Sequence, residues 1–479
     1  MDPFRWTILL AAALVLTGCQ SPPTVTQAER INRTFGAIPA SSSSSSAEAV
    51  RKADYRTALA AALPAINAGD PQFFWRTPAK RNEYSRGQFS KLRRADSRRA
   101  PPGLVRDGLG LPVIGIIPGN TPNAPSSGFL VPATLVATPA SPEKNGTPRS
   151  QIRLFDSLRT DRARIDQRAF AVARNLEAVI EKAQSLGPGR LDGWKNFLNA
   201  HRLGQSRLTF FQPFDPDKIP VVLVHGLFST PQMWANVVRA LWADPGVRDR
   251  FQFWMFYYPT GQPIPASALE LRQELDAVVR NHGRFKPAIL VGHSMGGLLA
   301  RTLVSGLSPD AAERIVPGIA GLPANHRVRQ SLIFEPRTDV RRVIFLMTPH
   351  QGSRMALTSY SALGMRLTRF PDWLGDEIRT LGHLIPRDDR GRLPTSIHGL
   401  SPDSQFLSAL RKAPMAAPYH SIIGIRSSRS AIGSSDGVVT YESAHVPGAE
   451  SELLVPSGHG GHTHPMTLAE LHRILALEK

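Results

Sequence analysis

Ser294 stands between Gly292 and Gly296 in the stretch ILVGHSMGGLLAR, residues 289–301, and Gly-x-Ser-x-Gly is a spacing that can serve a nucleophile. The pattern alone is weak, and residues 433–437, Gly-Ser-Ser-Asp-Gly, repeat it around Ser435. Context separates the two. Ser294 closes an apolar strand-like run and opens a helix-period segment, the strand-turn-helix setting that lifts a serine hydroxyl out of a sheet. Ser435 is followed by VVTYESA, which has no helical period. A serine hydroxyl is a poor nucleophile at neutral pH, so it needs a histidine to accept its proton and a carboxylate to orient that histidine. GHGGHTHP near the C-terminus supplies His459, His462 and His464. Three histidines in six residues also suit zinc, but no carboxylate or cysteine cluster accompanies them, so no metal and no cofactor is expected. His225 and His293 read as histidines that brace loops, not as bases.

The elements that must position these groups begin near residue 219. Short apolar runs there alternate with helix-period segments, the pattern of a parallel sheet wrapped by helices. IPVVLVHG, FQFWMFYYP, AILVGHS, RRVIFLMTPHQGS, YHSIIGIRSS and SELLVP read as strands. Residues 231–242, 266–281, 295–306 and 467–477 read as helices, the last with Thr467 and Glu470 spaced as a capping box. Before residue 212 the pattern is mixed. A helix is expected over 51–67, a short apolar piece over 109–117, a strand at GFLVPATLVA and a long helical run over 162–185.

VVLVHGLFST, GHSMGG, TPHQGS, SDGVV and PSGH, in that order, resemble an α/β-hydrolase of the lipase/esterase kind over roughly residues 219–479. The resemblance implies an α/β fold, a mostly parallel sheet with helices on both faces and a helical cap, preceded by the mixed N-terminal region. It places the acid at Asp436 and the base at His459, which follows Gly458, with His462 as the alternative base. Chain order is then Ser294, Asp436, His459, as in that family. An oxyanion hole is implied at the backbone N–H groups of Met295, at a helix N-terminus, and Leu227, after His225-Gly226. The stretch HGLF departs from the HGGG of some esterases at the Leu227 donor.

The chain's first nineteen residues contain an apolar run of nine and end in Leu-Thr-Gly-Cys. The run is too short to span a bilayer and reads as a secretory signal. Leu-Thr-Gly-Cys resembles a bacterial lipobox, implying cleavage after residue 18 and lipidation of Cys19, the single cysteine. With Gln20 following, an outer-membrane lipoprotein facing the periplasm is expected, or one at the cell surface. The run of six serines at 41–46 completes a flexible tether over 19–46. Regions of 47–212 and 213–479 follow, with a cap expected at about 354–415. Residues 355–374 are rich in apolar and aromatic side chains, suited to an acyl pocket, a membrane face or an ordinary helix pair.

The net charge of +19 is uneven: residues 20–210 carry 28 basic and 14 acidic residues. Residues 76–106 alone hold ten basic against two acidic. Such a stretch attracts phosphates of lipid headgroups or lipopolysaccharide. Nucleic acid is not expected, because no aromatic residues interleave SKLRRADSRRAPP to stack on bases. The leading reading is a serine hydrolase of carboxylic esters acting on acyl chains through an acyl-enzyme. An acyltransferase or thioesterase would use the same residues. An envelope-binding lipoprotein built on an inactive hydrolase scaffold is the reading from another class.

Overall fold

The computed structural model describes residues 25–39, 46–78, 81–142, 146–186, 206–354, 395–426 and 430–478. Cys19, the signal segment, most of the serine run and residues 355–394 of the expected cap lie outside the described residues. The chain divides into two compact units, Met1–Phe74 with Ala137–Ile152, and Trp75–Val136 with Arg153–Lys479.

In the first unit, Thr26 accepts a hydrogen bond from the Glu29 N–H and so starts helix α1, Gln27–Gly36, which buries Ala28, Ile31 and Phe35 along one stripe. Helix α2, Ser46–Ala68, contains the segment expected at 51–67. Its Tyr55 hydroxyl donates to the Ala137 carbonyl at 2.6 Å and accepts from the Ala137 N–H at 2.8 Å, satisfying both buried backbone groups.

The second unit starts with antiparallel strands. Strand β1, Lys91–Arg94, pairs with β2, Leu111–Ile117, with Leu92 opposite Gly115, and β2 pairs with β3, Phe129–Ala140, with Leu111 opposite Leu135; the residues of β3 up to Val136 belong to this unit. The long helix expected over 162–185 is not formed. A hairpin of β4, Arg162–Ile165, and β5, Arg168–Ala171, takes its place, and helix α3 covers only Glu177–Leu186. In β4 the exposed Arg162 and Arg164 alternate with the buried Ala163 and Ile165, a period of two. Asp166 and Gln167 both take positive φ, 46° and 64°, which lets two residues turn the chain with the twist of the flanking strands.

The main sheet has seven strands: β6, Arg207–Phe210; β7, Ile219–Val224; β8, Phe251–Tyr257; β9, Ala288–His293; β10, Val340–Leu346; β11, Tyr419–Ile425; and β12, Ser451–Pro456. They lie in the order β6-β8-β7-β9-β10-β11-β12, with only the edge strand β6 antiparallel. Val221, Val222, Leu223 and Val224 are completely buried, as continuous apolar strands covered on both faces must be. Val221, Leu223, Ile289 and Val291 share one core with Val237 and Leu241 of helix α4, Ala235–Trp242. Helix α5, Ile264–His282, contains the segment expected at 266–281 and contacts α6, Met295–Val304.

The last helix, α7, runs Pro465–Ala476, and the expected capping box is not what starts it. His464 is the N-cap and its side chain accepts from the Met466 N–H. Thr467 donates instead to the Gly461 carbonyl at 2.7 Å, and Glu470 binds Arg473 and Ser451. The proline at the first helical position sets the start two residues early. Among the described residues no helix is long and apolar enough to cross a membrane.

Candidate active site

Parallel pairing gathers strand ends. With Val224 opposite Gly292 and Gly292 opposite Phe345, β7, β9 and β10 present their carboxyl ends on one edge of the sheet, where the loops carrying the candidate residues emerge. Ser294 occupies the turn between β9 and α6 with φ 53° and ψ −126°, a backbone conformation that a non-glycine residue reaches only under strain. Its N–H donates to the Leu346 carbonyl at 2.8 Å, which fixes the turn to β10.

The two glycines of the motif make that turn sterically possible. A Cβ on Gly292 would lie 2.5 Å from the Gly297 Cα, and one on Gly296 would run into the carbonyls of Val224 and His225. Gly297, which the sequence reading did not single out, is equally constrained, since a Cβ there would strike the Thr348 side chain. Nothing in MGG marks that contact, because Thr348 arrives from β10.

The structure brings Ser294, His459 and Asp436 into one hydrogen-bonded line. His459 Nε2 lies 2.9 Å from Ser294 Oγ, and His459 Nδ1 lies 2.7 Å from Asp436 Oδ2. Asp436 is 1 % exposed, and its other oxygen, Oδ1, accepts from the N–H groups of Val438 and Val439, both at 2.8 Å. The His459 N–H donates to the Asp436 carbonyl at 3.1 Å, so the two residues are joined through the backbone as well. The rival serine belongs to this arrangement. Ser435 Oγ donates to the Val439 carbonyl at 3.0 Å and accepts from the Gly437 N–H, shaping the tight turn that holds Asp436.

The other histidines have separate places. His293 is buried, and its Nε2–H donates to the His459 carbonyl at 2.8 Å, steadying that residue's backbone. Burial, with His459 and His462 nearby, holds His293 well below the ordinary histidine range, so it stays neutral. His462 is not in the line. It packs edge-on to His293 with ring centroids 5.2 Å apart and is hydrogen-bonded to the Met233 backbone; burial lowers its pKa. His464 caps α7.

His225 is fully buried, and burial pushes its pKa down to about 4. Its Nδ1–H donates to the Gly226 carbonyl at 3.0 Å, its ring stacks on Tyr258 at 4.5 Å, and its own carbonyl accepts from the Tyr258 hydroxyl at 2.7 Å. Tyr258 carries no sequence signal for this role. The loop so braced runs into Gly226, where a Cβ would come within 3.0 Å of Ser294 Cβ, and then into Leu227. Met295 is the first residue of α6, so its N–H has no carbonyl within the helix to bind. Of the two expected oxyanion donors, Met295 thus follows Ser294 directly at the start of α6, and Leu227 follows Gly226.

A second brace was missed at the sequence level. The loop TPHQGS after β10 is tied to the segment following Asp436: Ser353 Oγ donates to the Val438 carbonyl, Ser443 Oγ to the Gly352 carbonyl at 2.6 Å, and Gln351 Nε2 to the Glu442 carbonyl at 2.6 Å. His350 in the same loop accepts from the buried Arg301 of α6 at 3.1 Å. Among the described residues no group of three or more His, Cys, Asp or Glu side chains is arranged to hold a metal ion.

The model of the alpha/beta hydrolase family matches residues 221–471. No curated protein matches the chain. Among solved structures it is similar to the mature lipase BlEst2 of Bacillus licheniformis, at 20% identity over 56% of this chain and 97% of that one, with a TM-score of 0.34. It is similar also to lipase 1 of Pelosinus fermentans, at 16% identity over 55% and 100% of the two chains, TM-score 0.37. A third similar structure is EstA of Clostridium botulinum, at 13% identity over 60% and 97%, TM-score 0.35.

Proposed function

The chain belongs to the alpha/beta hydrolase family, and from that membership we propose that it is a serine hydrolase that cleaves carboxylic esters with Ser294 as nucleophile, His459 as base and Asp436 as the acid that orients it. The observation that carries the reading is the unbroken line from Ser294 Oγ through the imidazole to a buried carboxylate, with the serine on a strained turn at the start of a helix.

The geometry supports an acyl-enzyme route. His459 Nε2 removes the hydroxyl proton as Ser294 Oγ attacks the ester carbonyl. The resulting oxyanion accepts hydrogen bonds from the N–H groups of Met295 and Leu227, donors set in place before reaction, and the dipole of α6 adds to the attraction. Collapse of the tetrahedral adduct breaks the C–O bond to the alcohol, which leaves with the proton from His459, and Ser294 keeps the acyl group. Water then gives its proton to His459 and attacks the acyl-enzyme; collapse returns that proton to Ser294 and frees the acid. Asp436 accepts the Nδ1–H, which holds that tautomer and stabilises the imidazolium. The resemblance of Leu16-Thr17-Gly18-Cys19 to a lipobox supports a lipid-anchored enzyme of the envelope working on acyl esters there.

The test is hydrolysis of p-nitrophenyl esters from acetate to palmitate, with fluorophosphonate labelling alongside. Turnover and labelling that both vanish in Ser294→Ala are expected. Turnover that persists in Ser294→Ala overturns the assignment, and absence of both in the wild-type chain favours the scaffold reading.

A further inference from the structure

The densest basic stretch of the sequence has a structural destination that ester hydrolysis does not use. Arg93 and Arg94 on β1, and Arg98 and Arg99 just beyond it, line one side of a groove of about 770 Å³, with Lys182 of α3 and Arg239 of α4 on the other. Its floor is apolar: Ile114 and Leu130 are buried and Ile116 is half-buried.

The acids in the groove are largely committed. Glu177 takes the Arg239 guanidinium at 2.8 Å, Asp96 takes Arg94 at 2.7 Å, and Glu181 accepts the backbone N–H of Arg98 at 3.1 Å. Among the described residues no carboxylate forms an ion pair with the side chains of Arg93, Arg98, Arg99 or Lys182. These cations are nonetheless held on a fixed frame. Asn175 donates to the Ala95 carbonyl at 2.9 Å and to Ser97 Oγ at 3.0 Å, and Ser97 Oγ donates to the Arg99 carbonyl at 2.6 Å. Cations gathered in a concavity repel one another, and an anion seated among them relieves that repulsion while accepting charge-assisted hydrogen bonds.

We propose that this groove binds an anionic amphiphile, its phosphate head among Arg93, Arg98, Arg99 and Lys182 and its alkyl chain on the Ile114, Ile116 and Leu130 floor. The apolar floor distinguishes this ligand from inorganic phosphate, which has no use for it. Among the described residues no aromatic side chain lines the groove, which argues against a nucleic-acid strand, since that needs a surface for its bases to stack on.

Calorimetric titration of the full chain carrying Cys19→Ser tests this, with dodecyl phosphate as probe and dodecyl maltoside, inorganic phosphate and single-stranded DNA as comparisons. Dodecyl phosphate is expected to bind about tenfold or more tighter than any of the three, and to lose about tenfold in Arg93→Gln/Arg99→Gln. Ile116→Asn weakens dodecyl phosphate but not inorganic phosphate. Arg93 and Arg99 are exposed and Ile116 is half-buried, and an unchanged melting temperature checks that each variant folds. Binding of dodecyl phosphate that is no tighter than inorganic phosphate, or that survives the double substitution, overturns the proposal. Tighter binding of DNA does so too and identifies a nucleic-acid surface. Ser294→Ala binds as the wild type does, so the outcome is independent of whether the chain hydrolyses esters.

Discussion

At the scale of single residues, the division of labour among neighbouring histidines is set by what each ring touches. His459 alone reaches both Ser294 Oγ and a carboxylate, whereas His462 turns to Met233 and His293 spends its Nε2–H on the His459 carbonyl. Substituting His459→Gln should therefore abolish ester hydrolysis, while His462→Gln should lower kcat by about tenfold at most, since it packs on His293 and reaches His459 only through that ring. Asp436→Asn keeps the shape of the turn but removes the charge that stabilises the imidazolium and favours the wrong tautomer. A fall in kcat of about 10⁴ is expected, with KM little changed. Steady-state kinetics on one p-nitrophenyl ester measures all three; equal losses for the two histidine variants would contradict the assignment.

At the scale of elements, the site depends on how closely α6 approaches β7. Gly296 lets the first turn of α6 lie against the carbonyls of Val224 and His225, and an added methyl has nowhere to go because both obstacles are backbone. Gly296→Ala should force α6 away from the sheet, lowering the melting temperature and fluorophosphonate labelling together. Tyr258 acts on the neighbouring loop. Tyr258→Phe keeps the stacked ring but leaves the buried His225 carbonyl without its donor, a cost of about 1–3 kcal/mol. Urea unfolding should show that loss, and kcat should drop as the loop bearing Leu227 loses its anchor. A variant as stable and as active as wild type would mean the hydroxyl does not hold the loop.

At the scale of the whole molecule, buried histidines couple stability to acid. Burial lowers His225 and His420 to about 4, and holds His293 and His350 well below the ordinary value of 6.5. Each is neutral when folded, so between 6.5 and about 4 the unfolded chain binds more protons than the folded one. Stability from these groups is complete above 6.5 and is lost as pH falls through that window. Thermal melts should show a falling midpoint from about pH 6.5 downward, steeper than one titrating group produces. A midpoint flat across that range would show that the histidines open to water before the fold does.

The sequence by itself determined the parallel sheet and its helices and set Ser294 apart from Ser435, because continuous apolar runs and glycine spacing follow local physics that a one-dimensional reading can follow, whereas Asp436 and His459 were expected only from the resemblance to a hydrolase family. It misread residues 162–185 as one helix, since arginines spaced among apolar residues fit a helical period as well as an alternating one until the two-residue turn at Asp166 and Gln167 settles the matter. It also missed the pinning of the Asp436 turn by TPHQGS, the buried pair of Arg301 and His350, and the role of Tyr258. Only the tertiary structure decided those, along with which of three histidines stands beside the serine, because each depends on contacts between segments far apart in the chain. The separation between His459 and Ser294 is set by β7 to β12 pairing in register, and no spacing along the sequence encodes it.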